Sequence, residues 1–140
     1  MKNEIEFRAE WADTDPAAIA FYPNFFKWFD LGTWHLLFDA GLSLELLKKE
    51  FDLFGCPVVD VQANFQRPVL FWDMVSLTSC VRRWGRKSFE VAHAVQVNGQ
   101  VCALGREIRV CARRTGEDPD RIEAVPIPEA LKARLPAAEL

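Results

Sequence analysis

The chain has 140 residues, 50% of them apolar and 26% charged, which is enough for one buried core and too short for two domains, so a single domain over residues 1–140 is expected. Seventeen Lys and Arg stand against twenty Asp and Glu, a formal net charge of -3, so no global field favours nucleic acid and any anion site must be local. No apolar run reaches the roughly 20 residues of a membrane span, and MKNEIEFRAEW lacks the apolar segment of a secretory signal, so the expected location is cytoplasmic, with no membrane partner.

Residues 4–11, EIEFRAEW, place Ile5, Phe7, Ala9 and Trp11 on one face and charged or polar side chains on the other, which predicts a first strand. The segment ADTDPAAIAFYP, with two prolines, reads as a shaped loop. Residues 23–40 carry Phe25, Phe26, Trp28, Phe29, Leu31, Trp34, Leu36, Leu37 and Phe38 around nearly the whole helical circumference, which predicts a long buried helix stopped by Gly41. A shorter helix is expected over LSLELLKKEF. The period then changes to two: Val59, Val61, Ala63 and Phe65 alternate with Asp60, Gln62, Asn64 and Gln66. Residues 74–84, 88–97 and 100–113 predict three more strands, the last two joined by the hairpin signal Asn98-Gly99. VPIPEALKARL predicts a short terminal helix. The order defines an α+β architecture, an antiparallel five-stranded sheet wrapped around one long helix, and open apolar strand edges predict a dimer at minimum.

The first segment able to carry chemistry is Asp13-Thr14-Asp15-Pro16, followed by Phe21-Tyr22-Pro23-Asn24 at the helix entrance. Pro16 and Pro23 each bias the preceding residue towards an extended conformation. The backbone N–H groups of Tyr22, Asn24 and Phe25 would then be unpaired donors at the positive end of the helix dipole, suited to polarise a carbonyl oxygen. A carboxylate just before them could attack that carbonyl or direct water to it, although an Asp in such a string equally serves to cap a turn. The second segment is Arg82-Arg83-Trp84-Gly85-Arg86-Lys87-Ser88, which reads either as a solvated turn or as a phosphate site with Trp84 as a stacking face. His35 and His93 read as packed or interface residues. Cys56, Cys80, Cys102 and Cys111 read as reduced, buried thiols with no metal-ligand spacing. No metal or cofactor is expected.

With Asp15 placed ahead of the helix, the sequence resembles the 4-hydroxybenzoyl-CoA thioesterase family of the hotdog fold. The resemblance rests on DTDPAAIAFYPNFFKWFD at 13–30, GCPVVDVQANF at 55–65, WGRKSFEVAHAV at 84–95 and EIRV at 107–110. It implies that Asp15 is the catalytic carboxylate and that the Tyr22 backbone N–H polarises a thioester carbonyl. It also implies that Arg86, Lys87, Ser88 and, more weakly, Arg121 hold the nucleotide end of coenzyme A, and that the protein is a homotetramer. Ala18 departs from the family, which usually has Gly there. Trp11, Phe21 and Phe25 are expected to wall the acyl pocket, and Tyr22-Pro23 resembles the branch acting on aromatic acyl groups. The alternatives are a short-chain aliphatic acyl-CoA thioesterase and a non-catalytic acyl-CoA-binding protein.

Overall fold

A computed structural model describes all 140 residues, Met1–Leu140. Strand β1 (Lys2–Arg8) leads through a 3-10 turn (Trp11–Asp13) into α1 (Pro23–Asp39) and then α2 (Leu44–Phe51). Four strands follow: β2 (Val58–Phe65), β3 (Met74–Trp84), β4 (Ser88–Val97) and β5 (Gln100–Val110). They form one antiparallel sheet with β1, in the order β1-β3-β4-β5-β2, and α1 lies across its inner face. A small hairpin of β6 (Ala112–Arg114) and β7 (Ile122–Ala124) and a last helix α3 (Glu129–Arg134) close one end.

Three expectations are corrected. The first strand stops at Arg8: the Ala9 N–H still reaches Asp73 O in register at 2.9 Å, but the Asp13 carboxylate then accepts the Glu10 N–H at 2.8 Å, which rolls the chain into the 3-10 turn. Trp11 therefore sits 71% exposed instead of facing the core. The last long strand is divided at Cys111: its N–H still bonds in register to Lys87 O, but from Ala112 onward the chain pairs with β7 as a separate hairpin. Finally, α1 buries only one face, formed by Phe25, Trp28, Phe29, Gly32, Thr33, Leu36 and Leu37. A five-stranded sheet covers one side of a helix, so Leu31, His35 and Phe38 remain exposed in the single chain.

Two small residues set how closely α1 approaches. A Cβ at Gly105 would overlap the Phe29 ring, and one at Gly32 would overlap Ser79 Oγ. That close approach lets Phe29 stack on His93, with ring centroids 4.9 Å apart and planes 11° from parallel. The N-terminal half of α1 packs on Val75, Leu77, Val95 and Ala103, and its C-terminal half on Val81, Phe89, Val91 and Cys111. With 17 residues rising about 1.5 Å each, the helix holds the two ends of the sheet roughly 25 Å apart.

Candidate active site

The loop ahead of α1 is a narrow antiparallel excursion with Asp15 at its tip. Thr14 faces Ala20, the Phe21 N–H bonds to Asp13 O at 2.8 Å, and the Asp15 N–H bonds to Ile19 O at 2.9 Å. Pro16 sits inside a turn closed by the Asp15 side chain, whose Oδ1 accepts the Ala17 N–H at 2.8 Å. The second carboxylate oxygen takes no hydrogen bond from the chain and the residue is half-buried, so that oxygen stays unpaired within the chain. The β2–β3 connection clamps the other flank: Ala20 N–H donates to Val69 O at 2.7 Å and Phe71 N–H to Ala18 O at 3.0 Å.

Ala18 has φ +61°, the left-handed region where a Cβ is unfavourable and glycine is the residue best suited. The methyl group makes this a strained loop position. Ala18→Gly should raise stability by about 1 kcal/mol, or roughly 3 °C in Tm, measurable by thermal unfolding; an unchanged or lower Tm would show the loop is not strained there.

At the helix entrance the structure thins the expected set of donors. Tyr22 has φ -53° and ψ -32°, already helical, so the bias imposed by Pro23 is overridden by the turn that starts α1. In that turn the Asn24 N–H bonds to Phe21 O at 2.9 Å and the Phe25 N–H to Tyr22 O at 3.2 Å. Neither is free, contrary to the expectation from sequence, and Pro23 has no N–H. What remains is the Tyr22 N–H, which has no acceptor in the chain and stands at the positive end of α1. The Asn24 side chain fixes this arrangement by donating to Asp13 O at 2.8 Å.

Beside the Tyr22 backbone lies an apolar groove of about 320 Å³ walled by Ile19, Ala20, Phe25, Phe65 and Val69. Phe25 lines this groove. Trp11 and Phe21 do not: Trp11 packs edge-on against Phe71 with centroids 5.4 Å apart, and Phe21 lies against Tyr22, 46% exposed. Both were pulled elsewhere by the turns around them. The alternation in β2 marks Phe65 only as a strand residue and Val69 carries no signal, because nothing local in sequence shows that the end of β2 folds back over the helix entrance.

The basic cluster occupies the far end of the sheet. Arg86 and Lys87 are exposed in the β3–β4 turn, whose shape is fixed by Gly85 N–H to Ser88 O at 2.8 Å and Ile127 N–H to Arg86 O at 2.8 Å. Arg82 and Arg83 pair with Glu90, at 3.5 and 3.9 Å, whereas the side chains of Arg86, Lys87 and the likewise exposed Arg121 engage no carboxylate. Trp84 is not a stacking face for a ligand: its Nε1 donates to Leu135 O at 2.9 Å and its ring packs on Phe89. Within one chain these cations and Asp15 lie at opposite ends of α1, so the structure does not join them in one pocket.

A buried polar network under the middle of α1 escaped the sequence reading. The Glu107 carboxylate accepts from Thr33 Oγ1 at 2.6 Å and from Arg109 Nε and Nη2, both at 2.9 Å. His93 bridges Ser79 Oγ at 2.8 Å and Glu107 at 3.2 Å, and Arg109 continues to Asp30 at 2.6 Å. His93, Arg109 and Glu107 are each no more than 2% exposed. Burial opposes charge on Glu107, but hydrogen bonds from His93 and Arg109 outweigh it and hold the carboxyl at about 2. Burial likewise pushes the His93 imidazolium below its ordinary range, so the ring is neutral, as a packed histidine should be. Its only sequence signature is the alternation that turns His93, Glu107 and Arg109 inward.

This fold, an antiparallel five-stranded sheet packed on one long helix, is that of the hotdog thioesterases. A family model described as the thioesterase-like superfamily matches residues 9–135. The chain is 32% identical over 130 residues to 4-hydroxybenzoyl-CoA thioesterase of Pseudomonas sp. (strain CBS-3), covering 89% of this chain and 90% of the relative. Among solved structures, an Asp-to-Asn variant of 4-hydroxybenzoyl-CoA thioesterase complexed with 4-hydroxybenzoyl-CoA superposes with a TM-score of 0.86 at 28% identity, over 96% of this chain and 98% of that one. A gentisyl-coenzyme A thioesterase superposes at 0.80 with 33% identity, over 93% and 99% of the two chains. The chain therefore belongs to the thioesterase-like superfamily. It is a thioester hydrolase acting on acyl-CoA substrates.

Proposed function

We propose that the chain hydrolyses an aromatic, benzoyl-type acyl-CoA to the free carboxylate and coenzyme A. The observation that carries this reading is the single unpaired Tyr22 N–H at the head of α1, one short loop from the free carboxylate oxygen of Asp15. A thioester needs no stronger electrophile: its thiolate leaves readily and the demanding step is charge building on the carbonyl oxygen. One well-placed donor stabilises that charge by about 3–4 kcal/mol, and α1's dipole adds to it. Asp15 supplies the attack, either on the carbonyl carbon, forming a mixed anhydride that water opens, or on a water proton as general base. The apolar groove beside Tyr22 is suited to a flat acyl group, and the similar thioesterases act, by their names, on hydroxylated aromatic acyl-CoAs.

Arg86, Lys87, Ser88 and Arg121 bind the phosphates of coenzyme A. Because they sit beyond the opposite end of α1 from Asp15, they serve a site on another copy of the chain. The β2 edge, with Val58, Val59 and Phe65 each at least 45% exposed, is the surface through which copies pair, and the assembly is a homotetramer. Light scattering should give four chains per particle; a monomer would remove the shared site.

Thiol release over a panel of benzoyl, hydroxybenzoyl, phenylacetyl and straight-chain acyl-CoA esters tests the substrate. An apolar pocket discriminates by about 10- to 200-fold per methylene, so an aromatic preference of that order is expected. A higher kcat/KM for hexanoyl-CoA than for every aromatic ester would replace this reading with the aliphatic one, and tight binding without turnover would replace both. Arg86→Ala and Lys87→Ala should raise KM for the acyl-CoA about tenfold, as the loss of one charge-assisted phosphate contact implies, and leave the pantetheine thioester unaffected. Equal losses on both substrates would remove the phosphate role.

A further inference from the structure

Cys56 and Cys111 lie against each other in the core, with their Sγ atoms 3.9 Å apart. Their backbones are opposed. Gly55 and Ala112 form an isolated antiparallel bridge, so Cys56 and Cys111 are the next facing pair, flanked by Ala112 N–H to Gly55 O and Val110 N–H to Pro57 O, both at 3.1 Å. The Cys111 N–H bonds elsewhere, to Lys87 O, so the two cysteines make a non-hydrogen-bonded cross-strand pair. Residues facing each other this way have Cα atoms about 4.5 Å apart, inside the range a disulfide spans. Only a side-chain rotation separates the thiols from bonding distance.

We propose that Cys56 and Cys111 are a redox pair that closes to an intrachain disulfide under a peroxide, fastening the α2–β2 connection to the end of β5. Cys56 is the sulfur first reached. It lines a cavity of about 370 Å³ bounded by Asp30, Trp34, Phe54 and Arg109, whereas Cys111 lies behind it at 0% exposure. The contact between the two sulfurs and the nearby Arg109 guanidinium lower the Cys56 thiol against the opposing effect of its burial, and the same contact, with burial, pushes Cys111 up. The steps balance. The Cys56 thiolate attacks a peroxide oxygen, taking one oxygen as sulfenic acid and releasing water once the departing hydroxide is protonated. Cys111 then attacks the sulfenic sulfur, forming the S–S bond and expelling a second water; its own proton goes to the leaving hydroxide. Two thiols lose two electrons, and the peroxide gains them. Cys80 and Cys102 are buried without a thiol neighbour and form the internal control.

The test uses the full-length reduced protein, treated folded with hydrogen peroxide, then quenched, denatured in guanidinium with iodoacetamide, digested without reductant and mapped by mass spectrometry. The expected product is a cross-linked pair of peptides holding Cys56 and Cys111, lighter than the two separate peptides by two hydrogens, with Cys80 and Cys102 alkylated. Dithiothreitol should restore both free thiols. In Cys111→Ser, the Cys56 sulfenic acid should persist and be captured by dimedone. Recovery of both wild-type thiols in alkylated form overturns the proposal, as does irreversible oxidation of Cys56 without a cross-link. If Cys111→Ser does not fold, the wild-type map decides alone.

Discussion

Asp15→Asn should lower kcat by about 100- to 10,000-fold, with KM and the unfolding midpoint nearly unchanged. The asparagine carbonyl oxygen can still accept the Ala17 N–H that closes the turn, so the loop should keep its shape and Tyr22 its position. What disappears is the anionic oxygen that is free in the wild-type turn. Because an amide neither attacks a thioester nor takes a proton from water at neutral pH, the loss falls on the chemical step and not on binding. Steady-state thiol release gives kcat, and thermal unfolding shows that the variant is folded. Retention of more than about a tenth of wild-type kcat would take Asp15 out of the mechanism. Single turnover of the wild type in oxygen-18 water then reveals the anhydride route where label enters Asp15. If the anhydride forms and water opens it at the aspartyl carbonyl, label enters the Asp15 carboxylate. A general base leaves the Asp15 peptide unlabelled and puts oxygen-18 only in the product acid.

The order of elements was legible in the sequence because it depends on period. The alternation of Val59, Val61, Ala63 and Phe65, the aromatic helix before Gly41 and the Asn98-Gly99 turn are local signals, and each element stands where its signal lies. The loop residues Asp15 and Tyr22 were legible for a related reason, since prolines next to them mark a shaped entry into a helix. Trp11 and Phe21 stand elsewhere because their side chains follow turns closed by side-chain or non-local bonds, such as the Glu10 N–H to the Asp13 carboxylate and the Phe21 N–H to Asp13 O. The distance between Asp15 and the Arg86-Lys87 turn was invisible, because a motif string records order along the chain and not which end of a sheet it reaches. The Glu107–Arg109–His93 cluster was hidden for the same reason. Charged residues in a strand read as solvent-facing unless the register is known, and register is a property of the sheet.

That cluster carries the largest expected effect on stability. Glu107→Gln should destabilise the protein by about 3–5 kcal/mol, a fall of roughly 10 °C in Tm, because it leaves the Arg109 guanidinium buried and without its anionic partner. Glutamine preserves the volume, but its NH2 donates where Arg109 and Thr33 also donate, so at least one buried donor is orphaned. The pH dependence distinguishes this account from simple packing damage. In the fold Glu107 is held at about 2, below an ordinary glutamate, so between those values the unfolded chain binds the extra proton. Its contribution is present above about pH 4.5 and is lost as pH falls towards 2, on the order of 3 kcal/mol in all. His93 adds the same sign at higher pH. Its folded value is lowered by burial, so unfolding is favoured as the freed imidazole takes a proton below about 6.5. The wild type should therefore lose stability steadily as pH falls from about 6.5. Glu107→Gln should follow it at first and then flatten, because the carboxyl that titrates below 4.5 is gone. Urea unfolding midpoints measured from pH 7 to 3 give both curves. Parallel curves through the acid range would mean that Glu107 is not held ionised by Arg109 and His93, whatever the loss at neutral pH.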